Sequence, residues 1–267
     1  MPIVTKEVNT SDTPLRCLVD EHKDVLLQWR IELKDQLPDP ATWLRPPNPS
    51  RASITGLAVD YRSCWFLTGV GELPRAVRRG LELCSKETTA KAVLREFDRI
   101  QGLGVGAHDA ATELLIARAA VACATVEPLY RRGSIVSCPV DQLGWSTFLR
   151  EYQDVIDDAA HLAEVLPYLL DSDIGKAITP SPDLRTGTLK GDGDLLIDAT
   201  LIEIKCVSDP MSESSKTLRQ LLVYAARSQV TEVCLVLPRQ RVRAGFDLTK
   251  HREMLDNLDT RIVAAYA

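Results

Sequence analysis

Three residues in the C-terminal third combine types and spacing suited to metal-assisted chemistry: Asp194, Glu203 and Lys205. Between the two acids runs LLIDATLI, whose β-branched and aliphatic residues predict two strands joined by a turn at Asp198–Ala199. With those two residues central in the turn, Ile197 faces Thr200, Leu196 faces Leu201 and Asp194 faces Glu203. Directly opposed side chains on one face of a sheet have Cβ atoms roughly 4.5–5.5 Å apart, and like charges there destabilise the pairing. A cation between the carboxylates relieves the repulsion, and a divalent ion is the economical one. Lys205 follows Glu203 by two residues, so alternation puts it on the same face, while Ile202, Ile204 and Cys206 point the other way into a core. An ion held there can act as a Lewis acid on a phosphodiester and lower the pKa of a bound water. The lysine can orient or help deprotonate that water and offset charge building on the phosphate.

Two blander arrangements use the same residues. The acids and the lysine could form the solvated polar face of an amphipathic hairpin. Asp192–Glu203 also mimics a calcium loop, with acids at loop positions 1, 3, 7 and 12. Leu196 and Ile197, however, stand where such a loop requires an oxygen ligand and a glycine.

The elements that must position the three residues follow from the surrounding pattern. SSKTLRQLLVYAARS reads as a helix with Ser214 or Ser215 as N-cap, TEVCLVLP as a buried strand, and DLTKHREMLDNL as a last helix. Strand, strand, helix, strand implies an α/β unit. Arg239, Arg241 and Arg243 follow at alternating spacing and are expected to project to one side, where they can grip phosphate or simply confer solubility.

Upstream, the texture is helical from 73 to 171. AHDAATELLIARAAVACATVEPLY is of buried type. STFLREYQDVIDDAAHLAEVLPYLL places Phe148, Tyr152, Val155, Ala159, Ala163, Leu166 and Leu170 on one seam. Ser53 precedes a helix in which Ile54, Leu57, Ala58, Tyr61 and Trp65 share a stripe. Before it, one amphipathic helix is expected over 16–35, followed by the proline-rich LPDPATWLRPPNPS. The expected division is an N-terminal helix and connection over 1–50, a first core helix within 51–72, a helical lobe over 73–171, and an α/β core over 172–267.

Gly191-x-x-Asp194 followed by Glu203-Ile204-Lys205 resembles the PD-(D/E)XK nuclease superfamily. Gln220-Leu-Leu-Val-Tyr224 is similar to the QxxxY motif of its RecB-like branch. Gly56-Leu-Ala-Val-Asp60 resembles that branch's G-x-x-x-His motif, with Asp60 in place of the histidine. The resemblance covers about a third of the chain in the branch's own order. It implies an α/β, restriction-endonuclease-like core, a mixed sheet flanked by helices, bearing a large helical N-terminal or inserted lobe. It also implies a metal-dependent nuclease that hydrolyses phosphodiesters in nucleic acid, DNA in preference to RNA, in repair, recombination or defence against foreign DNA. Asp194, Glu203 and Asp60 would hold Mg2+ or Mn2+, Lys205 would assist the water, and Gln220 and Tyr224 would line the cleft. A helicase or another repair or defence protein is the expected protein partner. No cysteine cluster has the C-terminal spacing of the iron–sulfur members, so no Fe–S cluster is expected. The alternative is a catalytically silent nuclease-fold subunit that binds nucleic acid or a protein.

Bulk composition fits a globular enzyme better than a protein that coats DNA. Of 267 residues, 45% are hydrophobic, and the net charge of −5 does not advertise a polyanion partner. The seven cysteines are scattered and include no CxxC pair, which suits a reducing compartment. The start, MPIVTKEVNT, has no signal-peptide pattern, and the most apolar stretch, LLIARAAVACA, contains Arg118 and is too short for a bilayer. A cytoplasmic protein without membrane contact is expected.

Overall fold

The computed structural model describes residues 3–132 and 138–267. The chain forms two compact units: Met1–Leu44 together with Lys176–Ala267, and Arg45–Gly175.

The first unit is built on a five-stranded mixed sheet. Its strands are β1 (Ile178–Pro180), β2 (Leu195–Ile197), β3 (Thr200–Ile204), β4 (Glu232–Leu237) and β5 (Val242–Asp247), lying side by side in chain order. Only β3 and β4 run parallel; the other neighbours are antiparallel. A parallel neighbour cannot be reached by a tight turn, so the chain crosses over through a helix, Pro210–Ser228. The β2–β3 register pairs Ile197 with Thr200, Leu196 with Leu201 and Leu195 with Ile202, as the turn at Asp198–Ala199 requires. Asp198 takes a left-handed backbone there, φ 50°.

Leu201 of β3, Val233, Leu235 and Leu237 of β4, and Ala244 and Phe246 of β5 join one core with Leu218, Leu221 and Leu222 of the crossover helix. Leu258 and Ile262 of the C-terminal helix Arg252–Tyr266 enter the same core. So do Leu15, Trp29 and Leu33 from the N-terminal helices, with Trp29 against Phe246 in a tilted pair at 5.2 Å between ring centroids.

Several local expectations are corrected. The predicted helix over 16–35 is two helices, Pro14–Asp20 and Lys23–Gln36, broken at Glu21–His22. The crossover helix is capped by Asp209, not by Ser214 or Ser215. Asp209 Oδ1 accepts from Met211 N at 2.9 Å and Ser212 N at 3.2 Å, and Pro210 occupies the first helical position, where a missing N–H costs nothing. β1 and β5 come from segments for which the sequence pattern predicts no strand. Both are edge strands, where a weak hydrophobic pattern suffices because only one side is paired. The last helix begins at Arg252 rather than at 247, because β5 runs through Asp247 and Asp247 Oδ1 turns the chain by accepting from Thr249 N.

The second unit is helical. Ala110–Arg132 runs through its middle, contacted by Ala52–Thr68, Arg75–Leu81, Glu87–Asp98 and Gln153–Ala163. The predicted seam over 146–170 is divided among Trp145–Glu151, Gln153–Ala163 and Leu166–Leu170, yet all seven of its residues stay buried. Ala52–Thr68, expected to be the first helix of the α/β core, belongs to this unit by its contacts. Among the described residues no helix is long and apolar enough to cross a membrane, and no disulfide is formed.

Gly80 is where Arg75–Leu81 meets the central helix: a Cβ there would stand 2.5 Å from Val126 O. Gly80→Ala should therefore lower stability by about 1–3 kcal/mol despite alanine's better helix propensity. Gly71→Ala, with nothing within 4 Å of its Cβ, is the neutral control. Denaturant midpoints of the two variants decide it; equal midpoints would mean that the helices do not cross so closely.

Candidate active site

β3 delivers Glu203 with its side chain on the same face as Leu201, toward the crossover helix. It is only 1% exposed. A solvated hairpin face is thereby excluded. So is a calcium loop, since most of 192–203 is paired as strand. Ile202 and Ile204, on the opposite face, are buried too, so β3 is covered on both sides.

Glu203 Oε1 accepts two hydrogen bonds, one from Lys205 Nζ and one from Gln220 Nε2 at 2.9 Å. Gln220 Nε2 also donates to the Tyr224 hydroxyl at 3.0 Å. Gln220 and Tyr224 lie one turn apart on the crossover helix and are 7% and 2% exposed. They are not ordinary surface: they support the carboxylate from below. Glu203 Oε2 is buried and has no hydrogen-bond partner among the described residues.

Asp194 precedes β2 by one residue, so it does not sit in the ladder opposite Glu203. Its Oδ2 instead accepts from Ile204 N at 2.7 Å, occupying the amide that a longer β2 would have taken. Asp194 is half-buried and its charge acts directly on Glu203. Asp192, exposed two residues earlier, adds to the same field. Its position as the first x of Gly-x-x-Asp was the available signal, and the motif reading passed over it. Burial first, then Asp194, push the Glu203 carboxyl up to about 7 from an ordinary 4.5, against the lowering pull of Lys205. Burial, then the Glu203 charge, likewise raise the Tyr224 phenol above its usual value.

The glycine of Gly-x-x-Asp has a packing reason that sequence does not disclose. The N-terminal segment runs alongside it, with Val4 N donating to Lys190 O at 2.8 Å. A Cβ on Gly191 would meet Val4 Cγ2 at 2.9 Å and Tyr224 Cε1 at 3.3 Å. Beyond Lys205 the chain is clamped by the turn after β4. Arg239 Nε donates to Cys206 O at 3.2 Å, and Gln240 Nε2 to Val207 O at 3.0 Å. Arg239 is wholly buried, Arg241 is exposed with a left-handed backbone, and Arg243 pairs within β5. The expectation of three arginines on one side is corrected: a 3-10 turn at Pro238–Gln240 breaks the alternation.

The structure thus gathers Asp194, Glu203, Lys205, Gln220 and Tyr224. Asp60 belongs to the helical unit, half-buried on Ala52–Thr68. Among the described residues no group of three or more histidine, cysteine or acidic side chains is placed to hold a metal. The donor set on offer is a pair of carboxylates, one with an unpartnered buried oxygen. That fits Mg2+ or Mn2+, which commonly take one or two carboxylates and fill the remaining positions with water and phosphate oxygens. No protein-family model matches the chain, and neither does any curated protein or solved structure.

Two expectations follow. With its folded pKa raised, Glu203 contributes stability that is fully present below about 4.5 and lost as pH rises through about 7. Metal-free protein should lose melting temperature over that interval, and Glu203→Gln should flatten this part of the profile. An unchanged slope would mean that Glu203 is not the titrating group. Gln220→Ala strips one of two donors from a buried carboxylate and should cost about 1–3 kcal/mol in denaturant unfolding. A loss near zero would place Gln220 outside the network.

Proposed function

We propose that the protein is a metal-dependent nuclease acting on DNA, with a restriction-endonuclease-like core. The observation that carries this reading is Glu203: a carboxylate buried in the middle of a sheet, with one oxygen held by Lys205 and Gln220 and the other unpartnered. A buried carboxylate with an orphan oxygen and a second carboxylate acting on it is costly unless a cation joins them. The motif order, the crossover helix bearing Gln220 and Tyr224 under β3, and the mixed sheet support the same reading.

Asp194 and Glu203 would hold Mg2+ or Mn2+. When bound, such an ion polarises a phosphodiester and makes a bound water more acidic. The remaining work falls to the chain. Lys205 holds Glu203 Oε1 in the metal-free protein, and its ammonium is the group available to orient the attacking water and offset charge on the phosphate. Gln220, itself held against Tyr224, fixes the carboxylate so that Oε2 points one way.

Linear and circular DNA incubated with millimolar Mn2+ or Mg2+ should be cut, and chelation should stop the cutting. Lys205→Ala should lower the rate by about two orders of magnitude or more while keeping the metal-induced rise in melting temperature. Asp194→Asn should remove most of that rise. Wild type that neither cuts nor gains stability with either ion would overturn the proposal and favour a silent binding subunit.

A further inference from the structure

The sheet unit carries a second charge imbalance, opposite in sign to the first. Arg16, Asp20, Lys23, Arg30 and Arg219 line a cavity of about 310 Å³ where the two N-terminal helices meet the crossover helix. Four of these side chains are cationic and one is a carboxylate. Asp20 is already shared: Arg16 Nε donates to its Oδ2 at 2.7 Å, and Arg219 Nε lies 3.5 Å from its Oδ1. Arg219 is therefore ion-paired with Asp20 at long range, while its buried Nε completes no hydrogen bond among the described residues. Lys23 and Arg30 project into solvent from the rim.

Cations so arranged in a protein of net charge −5 need a reason. One carboxylate cannot neutralise two guanidiniums while Lys23 and Arg30 stand beside them. Burial and the neighbouring Arg16 lower the Arg219 pKa against the raising pull of Asp20, so the guanidinium stays charged in surroundings that an anion in the cavity would make more favourable. Arginine forks match phosphate oxygens in pairs, and lysine adds a point charge. The cavity is also concave and partly apolar: Leu26, Leu27 and Leu218 share its lining. It is an open depression rather than an enclosed site, with Lys23, Leu27 and Arg30 exposed along it. A phosphate chain with an organic group attached satisfies both parts.

We propose that this cavity binds a nucleotide-type phosphate anion, its phosphates on Arg219, Arg30 and Lys23 and its base or sugar against the leucines. Arg219 precedes Gln220 by one residue, so the crossover helix presents its motif glutamine to Glu203 and Arg219 to the cavity. The proposal does not depend on nuclease activity.

Titration calorimetry of the full chain in chelator and low salt separates the two. The probes are ATP, inorganic triphosphate and a short unphosphorylated thymidine oligonucleotide. ATP is expected to bind saturably and more tightly than triphosphate. Replacing the exposed pair, Lys23→Ser with Arg30→Ser, should weaken ATP by about tenfold or more without altering the fold, and Arg219→Gln should do the same. No saturable binding of ATP at millimolar concentration overturns the proposal. So does ATP binding that survives the Lys23→Ser/Arg30→Ser change, and so does binding of the oligonucleotide alone.

Discussion

A carboxylate removed from water is the constraint around which the sheet unit is organised. Glu203 sits inside a strand covered on both faces, where an unpaired negative charge is penalised severely. The fold answers on one side only. Lys205 supplies the opposite charge from the first residue past the strand, and Gln220 supplies a neutral donor from the helix beneath. The parallel pairing of β3 with β4 makes this possible, because it obliges the chain to return through a helix packed on the sheet. A simple meander of strands would have had no glutamine to offer. On the other side Oε2 is left without a partner, and Asp194 and Asp192 add like charge instead of relieving it.

Supports remote in sequence hold the geometry. Asp194 closes the end of the hairpin by taking the Ile204 amide, which fixes its own carboxylate relative to β3. Gly191 leaves room for Val4 and the Tyr224 ring, so the N-terminal segment, almost two hundred residues away in sequence, packs against the support of Glu203. Arg239 and Gln240 hold the carbonyls that follow Lys205. Each is a backbone or packing contact. They limit how far the acids can move to relieve their repulsion, and so preserve an electrostatic field that a looser fold would relax.

The crossover helix separates two regions of opposite charge. Gln220 and Tyr224 turn inward beneath the acids, whereas Arg219 turns to a cavity edged by Arg16, Lys23 and Arg30. Consecutive helical residues point about a hundred degrees apart, so one helix serves both without either side chain crossing the other. Net charge conceals this, since the two regions largely cancel in the sum.

What the sequence determined by itself is what local chemistry controls. The strand–turn–strand at 195–204 was legible because β-branched residues flank a turn that sets the register, and register then fixes which side chains share a face. Lys205 beside Glu203 follows from the two-residue period, and Gln220 near Tyr224 from the helical one. The Asp209-Pro210 cap was equally local, and the serines further on drew attention from it. Burial was not legible: the same Glu-x-Lys pattern suits a solvated edge, and only the cover on both faces of β3 makes the carboxylate a strained group. The edge strands β1 and β5 were missed because pairing with a neighbour, not side-chain pattern, makes them strands. Arg239 reads as a surface cation, yet a turn after β4 buries it against the Cys206 carbonyl. The basic cavity draws on residues 16–30 and 215–219, and no spacing rule connects segments that far apart. Tertiary structure decided these points because burial and long-range contact depend on what packs above a residue, which its sequence neighbours do not encode.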